Sequence, residues 1–393
     1  MITWIRVIAL FVTGLGAAAQ FGKVSVLFPA WEAAYPQAGA AAGFLVSMVS
    51  LMGVLLGLLA GMVVTRVGFR RTLIGAALLG AAISALQALM PPLPVMLGLR
   101  AVEGLSHLAI VVAAPTLMAE ITGDRLRPVA MTLWSSYFGL TFAIYALIGP
   151  WLLSLGGVPA VLLSHGGFLL MMALALPFLL PDDRKLPDGE VAHPAEPLTP
   201  GVIARRHGTA YASPFIAAPG VGWFFYAFCF VALMTVLPGY LPEASREMQM
   251  TVLPLVGIAS SLTLGALALK LIRAVPVVIF GFALAALSIV LLALAPGPVW
   301  MPGLLFIAMG FMQSGSFAAV PQINLDPADR ALSNGVLAQM GNLGNLTGTP
   351  VLLALTGAMG FPGLVFFALT SYLLGMTVHL VAARMRAGRV LGA

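Results

Sequence analysis

Apolar runs of about 20 residues recur along the whole chain, each closed by charged residues or by a proline or glycine turn. They fall at roughly 4–30, 40–64, 70–90, 94–118, 128–153, 159–180, 217–241, 249–271, 275–295, 299–323, 331–356 and 361–383. At about 1.5 Å rise per residue a helical run of this length covers a hydrocarbon core of roughly 30 Å. Spanning strands would instead alternate between lipid-facing and inward-facing residues, and that alternation is missing. The pattern predicts an all-α integral membrane protein with twelve transmembrane helices. The opening segment "WIRVIALFVTGLGAAAQF" runs into the following residues without a cleavage site, so it is read as the first span and not as a removed signal. The longest polar interval, Pro181 to Pro214, divides the pattern six and six. It predicts an N-terminal bundle over 1–180, an inner linker over 181–214 and a C-terminal bundle over 215–393.

Composition agrees. The chain of 393 residues is 61% hydrophobic and 8% charged, far below the roughly 25% charge of soluble domains. Its single cysteine, Cys229, excludes an internal disulfide and a cysteine metal site. The net charge of +6 is explained by topology: of 19 Lys and Arg, all but Lys23, Arg100 and Arg246 fall on one side if both termini are cytoplasmic. The expectation is a multi-pass protein of the inner membrane with no nucleic-acid partner. No phosphate-loop pattern and no H-E-x-x-H occurs, so neither an enzyme nor a bound cofactor or metal is expected, and energy must come from a gradient.

The halves carry an internal repeat. Gly104 and Gly310, Pro115 and Pro321, and Glu120 and Asp326 are each separated by 206 residues. "GMVVTR" closing the second span parallels "GALALK" closing the eighth. Paired halves of this kind are a mark of transporters with a site near the bilayer midplane.

The polar residues inside apolar runs are the candidates for chemistry. In "RAVEGLSH", Arg100, Glu103 and His107 fall within an arc of about 60° at 100° per residue. Glu103 lies roughly 15 Å deep if the helix enters lipid near Leu93. Charges there cost at least about 2.5–3.5 kcal/mol each, so they should pair or line a cavity. Glu103 or His107 could take up a proton while Arg100 biases it or binds an anion; a structural ion pair is the alternative. Lys23 lies about 26 Å along the first helix from Arg6 and either lines the cavity or reaches the outer interface. With Lys23 and Arg100 offset only by Glu103, the site would prefer an anion. Gln339, Asn342 and Asn345 share a helix with Gly341, Gly344 and Gly348; they suit either substrate contact or close helix packing. Gln20, Gln313, Tyr137 and, with it, Trp134 and Tyr145 complete the lining candidates. Trp4, Trp31, Trp151 and Trp300 read as interface anchors.

Twelve spans split six and six, with "GMVVTRVGFRR" after the second, resemble the major facilitator superfamily of secondary transporters. Gly61, Arg66, Gly68, Arg70 and Arg71 match that family's loop pattern G-x-x-x-D-R-x-G-R-R/K, while Thr65 stands where the aspartate is usual. The resemblance implies a gating role for this loop, and the threonine removes its standard acidic latch. Arg100 and Gly104 are similar to the family's fourth-helix pattern, whose arginine is implicated in proton coupling or substrate binding. Gly149 and Pro150 match its fifth helix, but Tyr145 and Leu153 replace the small residues of the antiporter motif. "MTLWSSYFG" and "LAQMGNLGNLTG" are similar to the cyanate-permease-like bacterial branch. The expected function is proton-coupled movement of a small, anionic solute by alternating access, in a monomer. The other readings are proton-driven efflux of drugs or metabolites, and a non-transporting assembly factor or sensor that keeps the fold.

Overall fold

The computed structural model describes residues 2–182, 199–295 and 300–391. The linker residues 183–198, including Arg184 and Lys185, lie outside them. Helix covers nearly all of each predicted run. Side chains of Leu55, Leu89, Leu155, Phe178 and Leu294 stand exposed while Lys23, Arg100 and Glu103 are fully buried, the inverse of a soluble protein and the distribution lipid demands.

Two compact units divide the chain, Met1–Val202 and Ile203–Ala393. In the first, α1 (Ile2–Ser25) packs against α6 (Leu93–Ser135) and α7 (Tyr137–Leu179), and α5 (Phe69–Gln87) packs against the same two. The second predicted span is broken. A short α2 (Phe28–Ala34) and a 3-10 turn with Gly39 at φ 52° precede α3 (Gly43–Ser47), a second 3-10 turn (Met48–Ser50) and α4 (Leu51–Val67). Gly104 of α6 presses on this second turn, where an added Cβ would stand 2.3 Å from the Val49 carbonyl oxygen.

The second unit holds most of α8 (Pro200–Ala212), then α9 (Ala217–Val236), α10 (Glu243–Ser260), a π-helical turn (Ser261–Gly265), α11 (Ala266–Leu271), α12 (Ala274–Leu294), α13 (Trp300–Ile323), α14 (Pro327–Met359) and α15 (Phe361–Leu391). The repeat reappears as geometry: a Cβ on Gly310 of α13 would stand 2.6 Å from Ser260 Oγ and 2.7 Å from Ser261 N, at the π turn. In each unit, then, a glycine of the fourth helix meets an irregular turn of the second. Irregular turns of this kind inside helices often mark functional positions.

Three differences from the sequence pattern have physical causes. The loops expected near 119–127 and 154–158 are single breaks in otherwise continuous helix, at Gly123 (φ 58°) and at Gly157 (φ 65°) with Gly156. Glycine reverses the local winding there without polar loop residues. Among the described residues ten stretches are long and apolar enough to span a membrane, against twelve expected. The 43-residue α7 is counted once although it is broken near its middle, and α14, carrying Gln339, Asn342 and Asn345, is not among the ten. Finally, the polar interval 181–214 contains α8.

Arginines gather at one end of each unit. Arg6 Nε donates to the Leu179 carbonyl at 3.2 Å and Arg70 Nη2 to the Pro177 carbonyl at 2.6 Å, both at the end of α7. In the second unit Arg330 donates to the carbonyls of Asn324 and Leu325, and Arg386 to that of Pro214.

Candidate functional site

Four helices of the first unit bring polar side chains to one buried point. Glycines and small residues of α1 allow the approach: Gly16 faces Leu169 and Phe168 of α7, and Gly22 faces Thr141 and Tyr145. From α1 come Gln20 and Lys23, from α5 Ser84 and Gln87, from α6 Arg100, Glu103, Ser106 and His107, and from α7 His165.

Glu103 is the centre. Its Oε1 accepts from Lys23 Nζ at 2.6 Å, and its Oε2 accepts from Arg100 Nη1 at 2.5 Å and Gln87 Nε2 at 2.8 Å. Three donors on one carboxyl group, two of them cationic, require the carboxylate form. Lys23 Nζ further donates to Ser84 Oγ at 3.0 Å and Gln87 Oε1 at 3.3 Å, which with Glu103 uses its three protons. Arg100 completes its fork on backbone: Nε donates to the Leu45 carbonyl at 2.7 Å, and Nη2 to the carbonyls of Gln20 at 2.7 Å and Val46 at 3.2 Å. Leu45 and Val46 lie where α winding gives way to 3-10, so the broken second span helps to hold the arginine. Lys23, Ser84, Gln87, Arg100 and Glu103 all have 0% exposure.

The two histidines differ. His165 Nε2 donates to the Gly16 carbonyl at 3.0 Å, which leaves Nδ1 as the acceptor of the neutral ring, 2.7 Å from Ser84 Oγ and 3.1 Å from Lys23 Nζ. His107 Nδ1 donates to the Ala17 carbonyl at 3.0 Å, and its ring meets Phe21 edge-on at 5.1 Å. It is beside the ion cluster without a hydrogen bond into it. Gln20 Nε2 donates to Ser106 Oγ at 3.0 Å, and Ser106 donates on to the Ala76 carbonyl at 2.7 Å. Gln20 Oε1 is buried without a partner among the described residues. With Lys23, Arg100 and Glu103 ionised and both histidines neutral, the cluster carries one net positive charge.

The sequence candidates therefore sort unequally. Lys23, Arg100, Glu103 and Gln20 are brought together; Lys23 is enclosed and does not reach an interface. Tyr137 stacks on Trp134 at 4.5 Å and lies outside the cluster's hydrogen bonds. Gln313, Gln339, Asn342 and Asn345 belong to the second unit. Gln339 Oε1 accepts from Tyr211 of α8 at 2.8 Å, and Asn342 Nδ2 donates to Ala338 of its own helix at 2.8 Å. Gln313 and Asn345 are half-buried. Gly344 and Gly348 seat α14 on α9, where added Cβ atoms would stand 2.5 Å from the Phe224 oxygen and 2.0 Å from the Phe228 oxygen. In the loop after α4, Gly68 turns the chain at φ 94°. Gly61 has open space beside it, and Arg66 and Arg71 are exposed. Thr65 Oγ1 bonds its own helix at Gly61 and Met62, both 3.1 Å. The carboxylate facing Arg70 is Asp182, at 3.9 Å, too exposed and distant to count for much.

Ser84, Gln87, Ser106 and His165 were not singled out by the sequence pattern. Ser84 and Gln87 share a face at i, i+3, and His165 is the lone ionisable residue in its run; those were the available signals.

The family model of the Major Facilitator Superfamily matches residues 7–349. The chain belongs to this family, and is thus a multi-pass membrane protein of the secondary-transporter class. No curated protein matches it.

Proposed function

We propose that the protein carries a small monovalent anion together with a proton across the inner membrane, by alternating access, with Glu103 as the proton carrier and Arg100 as the anion contact. The observation that carries this reading is the sharing of one buried carboxylate between Lys23 and Arg100. A proton on Glu103 alone would leave two fully buried cations facing each other, at a cost of several kcal/mol. A monovalent anion arriving with that proton keeps the net buried charge at plus one. The anion offsets the charge that the proton adds, so by linkage each raises the affinity of the site for the other, the coupling that symport needs. The amides and small residues of α14 would serve closure and packing in the other half. Both termini face the cytoplasm in this reading, as the positive-inside rule requires of the distribution of Lys and Arg along the sequence.

A thermal-shift screen of monovalent anions against lipophilic cations identifies the ligand class, and proteoliposomes loaded at high internal pH then test the coupling. The stabilising anion should accumulate in response to the gradient. Glu103→Gln should remove that response while retaining anion exchange, and Arg100→Ala should weaken anion binding. Stabilisation by lipophilic cations alone would sink the symport reading and favour efflux.

A further inference from the structure

A second property of the cluster concerns how a proton reaches a carboxylate so fully enclosed. Lys23, Ser84 and Glu103 have 0% exposure, and His165, at 2%, is the one member of their hydrogen-bonded chain not wholly enclosed. The chain itself has no gap: His165 Nδ1 to Ser84 Oγ is 2.7 Å, Ser84 Oγ to Lys23 Nζ is 3.0 Å, and Lys23 Nζ to Glu103 Oε1 is 2.6 Å. It crosses from α7 through α5 and α1 to α6. We propose that His165 is the proton's point of arrival and that Ser84 and Lys23 relay it to Glu103. This rests on the reading of Glu103 as carrier.

The proton count closes. His165 takes a proton on Nδ1, while Nε2–H stays on the Gly16 carbonyl. Lys23 passes a proton to Glu103 Oε1, breaking one N–H bond and forming one O–H bond. The freed lone pair on Nζ takes the Ser84 hydroxyl proton, and Ser84 Oγ takes the proton on His165 Nδ1. Lys23 and Ser84 end as they began, His165 returns to neutral, and Glu103 is protonated. Protonation of Nδ1 turns the Ser84 hydroxyl proton away from the histidine and toward Nζ, so the three transfers, the loss of a Lys23 proton to Glu103 among them, run in concert, and every member has a hydrogen-bond partner again once they are complete. The ionisable and charged groups around the histidine are Lys23 from α1 and Glu103 and Arg100 from α6, with the Ser84 hydroxyl from α5. His107 is turned to Ala17 and takes no part.

The test follows the carboxyl group by time-resolved infrared spectroscopy after a downward pH jump, on the protein in nanodiscs at a saturating concentration of the monovalent anion selected by the thermal-shift screen. A protonated-carboxyl band that Glu103→Gln removes reports the carrier. His165→Gln keeps an acceptor for Ser84 and a donor for Gly16 but binds no proton. It should slow the appearance of that band at least about tenfold while leaving its final size unchanged. Ser84→Ala should slow it as well, and Ser84→Thr, which keeps the hydroxyl, should restore it; this pair stands alone if His165→Gln does not fold. A band that forms at the normal rate in His165→Gln or Ser84→Ala overturns the relay and leaves Glu103 as carrier. The absence of any band that depends on Glu103 overturns the carrier assignment instead.

Discussion

Removing the charge of Glu103 should cost more stability than removing that of Lys23, although the two face each other in one ion pair. Lys23, Arg100 and Glu103 are wholly buried, with two cations to one anion. Glu103→Gln leaves both cations without a counter-charge, and breaking a buried pair in this way costs about 3–5 kcal/mol. Lys23→Met leaves Arg100 and Glu103 paired and the cluster neutral. Its cost is the loss of donors to Ser84, Gln87 and Glu103, about 1–3 kcal/mol. The double variant retains one cation, Arg100, still bonded to the carbonyls of Leu45, Val46 and Gln20. It should therefore lose less than the two single losses added together, by about 0.5–3 kcal/mol. Unfolding titrations in mixed micelles measure all four proteins of this cycle. Additivity within about 0.5 kcal/mol, or a greater loss in Lys23→Met than in Glu103→Gln, would refute the electrostatic account of the cluster.

Gly104→Ala should destabilise the first unit by about 1–3 kcal/mol, because the new methyl would stand 2.3 Å from the Val49 oxygen and force α6 off the 3-10 turn; equal unfolding midpoints would refute that contact. Gln339→Leu should release Tyr211 and speed hydrogen exchange in α8 by about 2- to 12-fold, the equivalent of one hydrogen bond, and unchanged exchange there would show that the contact does not hold α8. Gly348→Ala should separate α14 from α9, lowering the unfolding midpoint of the second unit, since its Cβ would stand 2.0 Å from the Phe228 oxygen; a midpoint at the wild-type value would show that α14 can shift freely.

How much was legible in the sequence depended on whether the signal lay within one helix or between two. Hydropathy located the helices because each run must satisfy lipid by itself. The pairing of Arg100 with Glu103 was legible for the same reason, being an i, i+3 contact. The contact of Lys23 with Glu103 spans 80 residues, and helical period tells which side of a helix is polar but not which neighbour faces it. His165 was hidden by its own isolation: one polar residue among apolar ones makes no stripe, and its role depends on Ser84 arriving from α5. The breaks at Gly123 and Gly157 are far shorter than the intervals 119–127 and 154–158 between the apolar runs, because one glycine at positive φ suffices to turn the chain and hydropathy does not resolve a turn that short. For Gln339 the helical pattern leaves substrate contact and packing equally open, because the partner that decides it, Tyr211 of α8, lies within the polar interval 181–214, whose composition does not mark a helix.

The paired glycines at 104 and 310 bear on how such a protein can change its trade. Both units keep the same joint, a glycine of the fourth helix pressed on a distorted turn of the second, yet the linked Lys23, Arg100 and Glu103 belong to one unit only. The joint is present twice, the ion cluster in the first unit alone among the described residues. Side chains around the ion cluster can therefore be exchanged in one unit without touching the glycine joint that both units repeat.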